Sequence, residues 1–195
     1  MDAAVPVFAD PSPCGAMARI PYVDPDDAPE KVREAFGAVP PLNIFKTLAH
    51  AETAFRPFLR FGGAVLGRLQ LDPVLRELAI LQVARQAEAE YEWVQHAAIG
   101  RQVGVSDEQI AALEAGELDT AAFSDAEQAV LAFTAAVVAG PRVDDELFGR
   151  VRAQLSDREI VELLMTIGDY WMLARVMTVL ELELDEPAAT RLVDS

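Results

Sequence analysis

Apolar residues recur along this chain at spacings of three and four, the period of an amphipathic helix. Capping residues and breakers divide that pattern into segments. Asp26 and Asp27, with Pro29 in the first turn, predict a helix running to about Gly37. The Val39–Pro40–Pro41 run ends it, and Asn43 opens a short helix, NIFKTLAH. A longer apolar stretch follows, ETAFRPFLRFGGAVLGRL, with the Gly62–Gly63 pair inside it. Asp72–Pro73 is a cap followed by a first-position proline, and it predicts a helix over PVLRELAILQVARQAEA. The stretch AEYEWVQHAAIGRQV predicts the next, ending at Gly104. Three capping boxes come in series: Ser106 with Gln109, Ser124 with Glu127, and Ser156 with Glu159. Asp144 caps a shorter helix, DELFGRVRAQL, between the last two. No segment keeps the period-two alternation of a strand. The expectation is an all-α fold of about eight helices, with no repeat of solenoid length.

Composition narrows what such a fold can do. The chain has 195 residues, which suits one domain. Residues 1–18 hold three prolines and two aspartates without Lys or Arg. They read as a flexible N-terminal arm, with residues 19–195 as a single helical domain. Met17 is a second candidate for the natural start, and Cys14 in the arm reads as an incidental thiol. The arm has neither the basic region of a secretory signal nor the arginines of a transit peptide, so the expected location is cytoplasmic. No apolar run reaches the roughly 18 residues of a membrane span. A formal net charge of −16 argues against nucleic acid and anionic membranes, whose phosphates need a basic surface. The charge is uneven: 19 of the 32 acids but only 6 of the 16 bases lie after residue 106. The more neutral first part is the better place for an anionic ligand, although a solvated acidic surface explains the asymmetry equally well.

Two carboxylates sit where helical spacing places apolar neighbours. Glu77 has Pro73, Val74, Ile80 and Leu81 three and four positions away. A carboxylate in such a stripe must be paired, protonated or facing a cavity. Glu92 and His96 are four apart and share one face, which Ile99 and Val103 continue. A carboxylate beside an imidazole fixes its tautomer and raises its proton affinity, the layout of an acid–base unit. The same spacing is equally compatible with a satisfied, partly buried histidine. Arg85 lies two turns beyond Glu77, and Arg175 interrupts the apolar last helix with Tyr170 and Trp171. Either arginine could hold a substrate carboxylate or neutralise a glutamate. Tyr91 and Trp93 flank Glu92 but point to other faces, and they read as core or interface residues or as substrate contacts. A metal site is disfavoured, because the only other histidine is His50 and no second Glu–His pair exists. There is no phosphate loop, dinucleotide fingerprint or nucleophile elbow, and the chain has only two lysines, Lys31 and Lys46.

The segments PLNIFKTLAH and LDPVLRELAILQVARQAEAEYEWVQHAAIGRQVGVSDEQIAAL resemble the carboxymuconolactone decarboxylase family. That family shares its helical fold with alkylhydroperoxidase D, and the resemblance spans about Arg19 to Glu186. It implies a protomer that assembles as a trimer, hexamer or dimer. The peroxidase branch of the fold carries a Glu, a CxxC pair, and a His four residues past the second Cys. Glu77 and His96 match that Glu and His, but Ala89 and Glu92 occupy the cysteine positions. A peroxidatic cycle needs one thiolate to attack and a second thiol to resolve, so peroxidase chemistry is not expected. Tyr91 stands where a relay histidine can occur in that branch.

The decarboxylase branch implies a cofactor-independent lyase acting on a carboxylated lactone or related small organic acid. In that reading His96 is the acid–base residue oriented by Glu92, and Glu77 is a second proton-handling group raised by apolar surroundings. Arg85 or Arg175 holds the anion, and Tyr91, Trp93 and Tyr170 line the site. Two alternatives stay open. One is an acid–base isomerase, dehydratase or cyclase acting on a natural-product intermediate. The other is a non-catalytic oligomer that binds a ligand.

Overall fold

The computed structural model describes residues 18–185. The expected arm, with Cys14 and Met17, lies outside the described residues apart from its last position. The described residues form nine helices and no strand. In chain order these are α1 (Glu30–Phe36), α2 (Asn43–Leu48), α3 (Glu52–Gly67), α4 (Pro73–Gln86), α5 (Glu90–Val103), α6 (Asp107–Ala115), α7 (Asp125–Ala139), α8 (Asp145–Arg152) and α9 (Asp157–Val179).

The caps behave as the sequence requires. Asp72 accepts from the backbone N–H groups of Val74 and Leu75 and starts α4. All three capping boxes form, opening α6, α7 and α9. Asp144 caps α8 through the Leu147 N–H. The start of α1 differs: Pro29 occupies the cap position and makes no side-chain bond, so Asp26 and Asp27 do not cap it. The third helix runs unbroken through Gly62 and Gly63.

Helix α4 is the axle of the fold. Residues 76–84 are all buried, because α5, α6, α7 and α9 pack around them. One face joins Leu78 and Leu81 to Trp93, Leu113 and Leu131, and the other joins Ile80 and Val83 to Val130, Leu163 and Ile167. Burial on this scale stabilises each large aliphatic side chain by about 1.5–3 kcal/mol. The link Ala87–Ala89 then turns α5 back along α4. It is closed by the Ala89 N–H bonding the Ala84 carbonyl, with Glu88 in the left-handed region at φ 53°. Gly100 lets α5 come close to α4: a Cβ there would lie 3.4 Å from Val105 and 3.7 Å from the Cβ of Glu77. This tight antiparallel pair carries Glu77 and His96 to the same depth.

Helices α1 and α3 pack together around Phe36 and Phe55, whose ring centroids are 5.0 Å apart, and α3 rests on α9. No helix among the described residues is long and apolar enough to cross a membrane. One surface feature stands out on α9. Val161, Leu164, Met165, Met172 and Val179 are exposed along one helix that also carries Gly168.

Candidate active site

A cavity of ≈ 550 Å³ opens between α3, α4, α5, α9 and the segment around α2. Its walls are largely apolar, with Leu42, Phe45, Phe58, Leu66, Leu173 and Met177 among them. The polar exceptions are concentrated on α4, α5 and α9: Arg76, Tyr91, Glu92, Gln95, His96, Asp169 and Tyr170.

His96 is held from behind. Its Nδ1 lies 2.7 Å from Glu77 Oε2. The other oxygen of Glu77, Oε1, accepts from Arg76 Nε at 2.9 Å and Nη2 at 2.9 Å. Arg76, Glu77 and His96 are all buried. A carboxylate only accepts, so the shared proton belongs to Nδ1, and the tautomer this fixes is the one whose lone pair lies at Nε2. No described residue bonds Nε2, and the ring lines the cavity. Tyr170 packs edge-on against the imidazole, with centroids 4.7 Å apart and planes at 84°. Burial, followed by the nearby Glu77, Glu92 and Asp169 charges, raises the Tyr170 phenol well above its ordinary range, so it stays a neutral O–H.

This geometry changes the expected partnership. The carboxylate that orients His96 is Glu77 across the helix pair, not Glu92 on its own helix. Nor is Glu77 a carboxylate in apolar isolation, since Arg76 and His96 occupy both of its oxygens. The isolated carboxylate is Glu92. It is fully buried, and neither of its oxygens has a hydrogen-bond partner among the described residues. Desolvation, followed by the Asp169 charge, pushes it well above the usual carboxyl range. Asp169 on α9 is in the same condition: 6% exposed, with both oxygens unpartnered, and raised by burial to about 6.

The arginines are also redistributed. Arg85 points away from the cavity, donating to the Glu114 carbonyl at 3.3 Å beneath Gly116. The Arg175 guanidinium lies 4.0 Å above the Trp171 ring, and it is absent from the cavity wall. Arg76 takes the inner position, with Arg56 and Arg60 of α3 on the outer wall. Trp93 belongs to the core cluster with Leu78, Leu81 and Leu113 and does not line the cavity. Tyr91 does line it, but its hydroxyl is committed: it donates to Asp185 and accepts from the Ile44 N–H at 3.5 Å. Its phenol is strongly raised, chiefly by burial.

Sequence reasoning missed Arg76 and Asp169. Arg76 neighbours Glu77 in the chain and starts about 100° away around the helix, so a face-by-face reading separates them. Asp169 did carry a signal, as an acid inside the apolar run of α9. Among the described residues no group of three or more His, Cys, Asp or Glu side chains could hold a metal ion.

Known proteins share this arrangement of helices. The carboxymuconolactone decarboxylase family matches residues 52–136, which include Glu77, Glu92 and His96. A peroxidase-related protein from Ralstonia eutropha JMP134, described as an alkylhydroperoxidase AhpD core, superposes with a TM-score of 0.76 at 19% identity. The match covers 89% of this chain and 95% of that one. A peroxidase-related protein from Silicibacter sp. TM1040 gives a TM-score of 0.75 at 18% identity, over 93% and 98% of the two chains. The debrominase Bmp8, solved as a cysteine-to-alanine variant with 2,3,4-tribromopyrrole, gives 0.68 at 20% identity over 91% and 95%. No curated protein matches the chain by sequence. At these identities the structural likeness establishes the fold.

Proposed function

We propose, on the premise that residues 52–136 place this chain in the carboxymuconolactone decarboxylase family, that it is an acid–base enzyme moving protons on a largely apolar small molecule. One observation carries the reading. His96 is tied to Glu77 through Nδ1 at 2.7 Å and lines a cavity of ≈ 550 Å³ whose walls are mostly apolar.

His96 Nε2 takes a proton from a carbon of the bound substrate, and the C–H electron pair stays on the substrate. The imidazolium that forms is stabilised by Glu77, and Arg76 holds Glu77 in place. Return of the proton to a second carbon completes an isomerisation, its transfer to the departing group as the carbon–leaving-group bond breaks completes an elimination, and its return after the carbanion has bonded an electrophilic carbon of the same substrate completes a cyclisation. The apolar walls exclude water and strengthen each of these interactions. These groups suffice for proton transfer without a cofactor. A solved relative of the fold holds a small halogenated pyrrole, a ligand in keeping with walls of this kind.

Decarboxylation of a carboxylated lactone is the second reading, and Arg60 favours it. Arg60 is an exposed cation on the cavity wall with no ion-pair partner among the described residues. It could hold a carboxylate at the outer end of the cavity. The inner cation, Arg76, is already neutralised by Glu77, which is why proton transfer on a less polar substrate ranks first.

Solvent deuterium incorporation into a panel of enolisable ketones and lactones tests both readings. Wild-type protein should exchange a carbon-bound hydrogen, and His96→Gln should slow that exchange by about 10²–10⁴-fold with helicity unchanged. Exchange at the wild-type rate in His96→Gln would remove His96 from the chemistry. Release of carbon dioxide from a carboxylated lactone, lost on Arg60→Ala, would promote the second reading.

The protomer is also expected to self-associate. The exposed apolar residues of α9 make a stripe of the kind that marks association surfaces. Met165→Glu should shift the particle mass in light scattering toward the monomer.

A further inference from the structure

Two buried carboxyl groups that line the cavity are in a condition unlike that of Glu77. Glu77 has a partner for each oxygen, whereas Glu92 and Asp169 have none for any of theirs. They come from different helices, α5 and α9, and both line the same cavity as His96 and Tyr170. Gly62 of α3 lies beside Asp169, since a Cβ there would sit 4.0 Å from Asp169 Oδ2, an ordinary contact distance. Unpartnered buried polar groups cost free energy and persist where something else satisfies them. The cavity they line is the place from which a ligand can supply that partner, since the nearby cation is committed elsewhere: Arg76 bonds Glu77 through two nitrogens.

The state of these carboxyls limits the chemistry of that partner. Two ionised carboxylates in an apolar wall, without a donor between them, are strongly disfavoured. A protonated carboxyl is an O–H donor, and a donor seeks a lone pair. A ligand carboxylate in this position would place a further negative charge beside groups that burial already makes costly to ionise. A neutral carbonyl oxygen adds none, and it accumulates negative charge only as a base removes the adjacent proton.

We infer that the Glu92 carboxyl group, buried beside Asp169, forms an acidic hydrogen-bond-donor site that receives the neutral carbonyl oxygen of the ligand, in the cavity that His96 also lines. This rests on the proton-transfer reading and names its substrate class, an apolar ketone, enone or lactone. As His96 Nε2 takes the carbon proton, the electron pair moves into the carbon–carbon bond and the carbonyl electrons move onto oxygen. A carboxylic acid O–H then stabilises the enolate or transfers its proton to give the enol. When the enol collapses, the proton returns to the carboxyl group, so no other reactant is consumed.

Binding of three probes of one shape tests the inference: 2-acetylnaphthalene, 2-naphthoate and 2-naphthylmethylammonium. Affinities are read by fluorescence for the wild type, Glu92→Gln, Glu92→Leu and Asp169→Leu. The ketone should bind most tightly. It should weaken by tenfold or more in Glu92→Leu and by less in Glu92→Gln, whose amide still donates. Tightest binding of the naphthoate or of the ammonium would overturn the inference, as would ketone binding indifferent to Glu92→Leu. A melting temperature at or above that of the wild type in Glu92→Leu shows that lost affinity is not lost fold. Ketone binding does not depend on His96, so its retention in His96→Gln without hydrogen exchange in any variant would sustain the carbonyl site while sinking the enzyme reading.

Discussion

Glu77 and Glu92 are the same residue type at the same burial, and the fold treats them in opposite ways. Both are fully buried on adjoining helices. Glu77 is held by an arginine and a histidine, with each oxygen within 2.9 Å of a donor. Among the described residues Glu92 has no donor for either oxygen, and Asp169 on α9 is equally bare. One buried carboxylate is closed into an electrostatic network, and the other two carboxyls are left for a ligand to complete. Burial alone therefore says little about a carboxylate's role. What matters is whether the protein or the cavity supplies its partners.

The largest expected effect comes from breaking the satisfied wall. Glu77→Leu leaves the Arg76 guanidinium buried without its anion, and it should destabilise the protein by about 3–5 kcal/mol in chemical denaturation. A change below about 1 kcal/mol would mean that the network contributes little. The unpartnered carboxyl should respond with the opposite sign. Glu92→Leu removes two unpartnered oxygens and should stabilise the unliganded protein by about 1–3 kcal/mol. A loss of stability there would show that Glu92 has partners in solution and would collapse the contrast between the walls.

The smallest of these effects is a pH dependence. Asp169 is raised by burial from 3.8 to about 6, so the folded protein holds this proton more tightly than the unfolded chain. The resulting stability is fully present below the unfolded value and is lost as pH rises through about 6. Wild-type protein should therefore lose about 2 kcal/mol relative to Asp169→Asn between pH 4 and pH 7. A flat difference across that range would mean that Asp169 is not held in a desolvated site.

The sequence carried more of the fold than of the site, and the reason is physical. Caps act within four residues, so Asp72, Ser106, Ser124, Asp144 and Ser156 announce their helices locally. Glu77, Glu92 and His96 were visible as polar residues on apolar faces. Their pairing was not, because helical spacing reports neighbours on one helix, and the decisive bond runs between α4 and α5. The three-residue link and the close approach at Gly100 set that register. For the same reason Arg85 and Arg175 drew attention that belongs to Arg76. The sequence shows which cations exist, and only packing shows which one faces the cavity. The absent CxxC pair needed no structure, since it is a matter of residue identity at Ala89 and Glu92.

The central claim is that the cavity sets a neutral acid against an oriented base. Carbon-13 NMR of the glutamate side-chain carboxyls measures this directly. At pH 7 the account predicts one glutamate signal at the neutral-acid position, absent from Glu92→Gln and undisturbed by substitution of exposed glutamates. Spectra with every glutamate at the ionised position at pH 7 would contradict it.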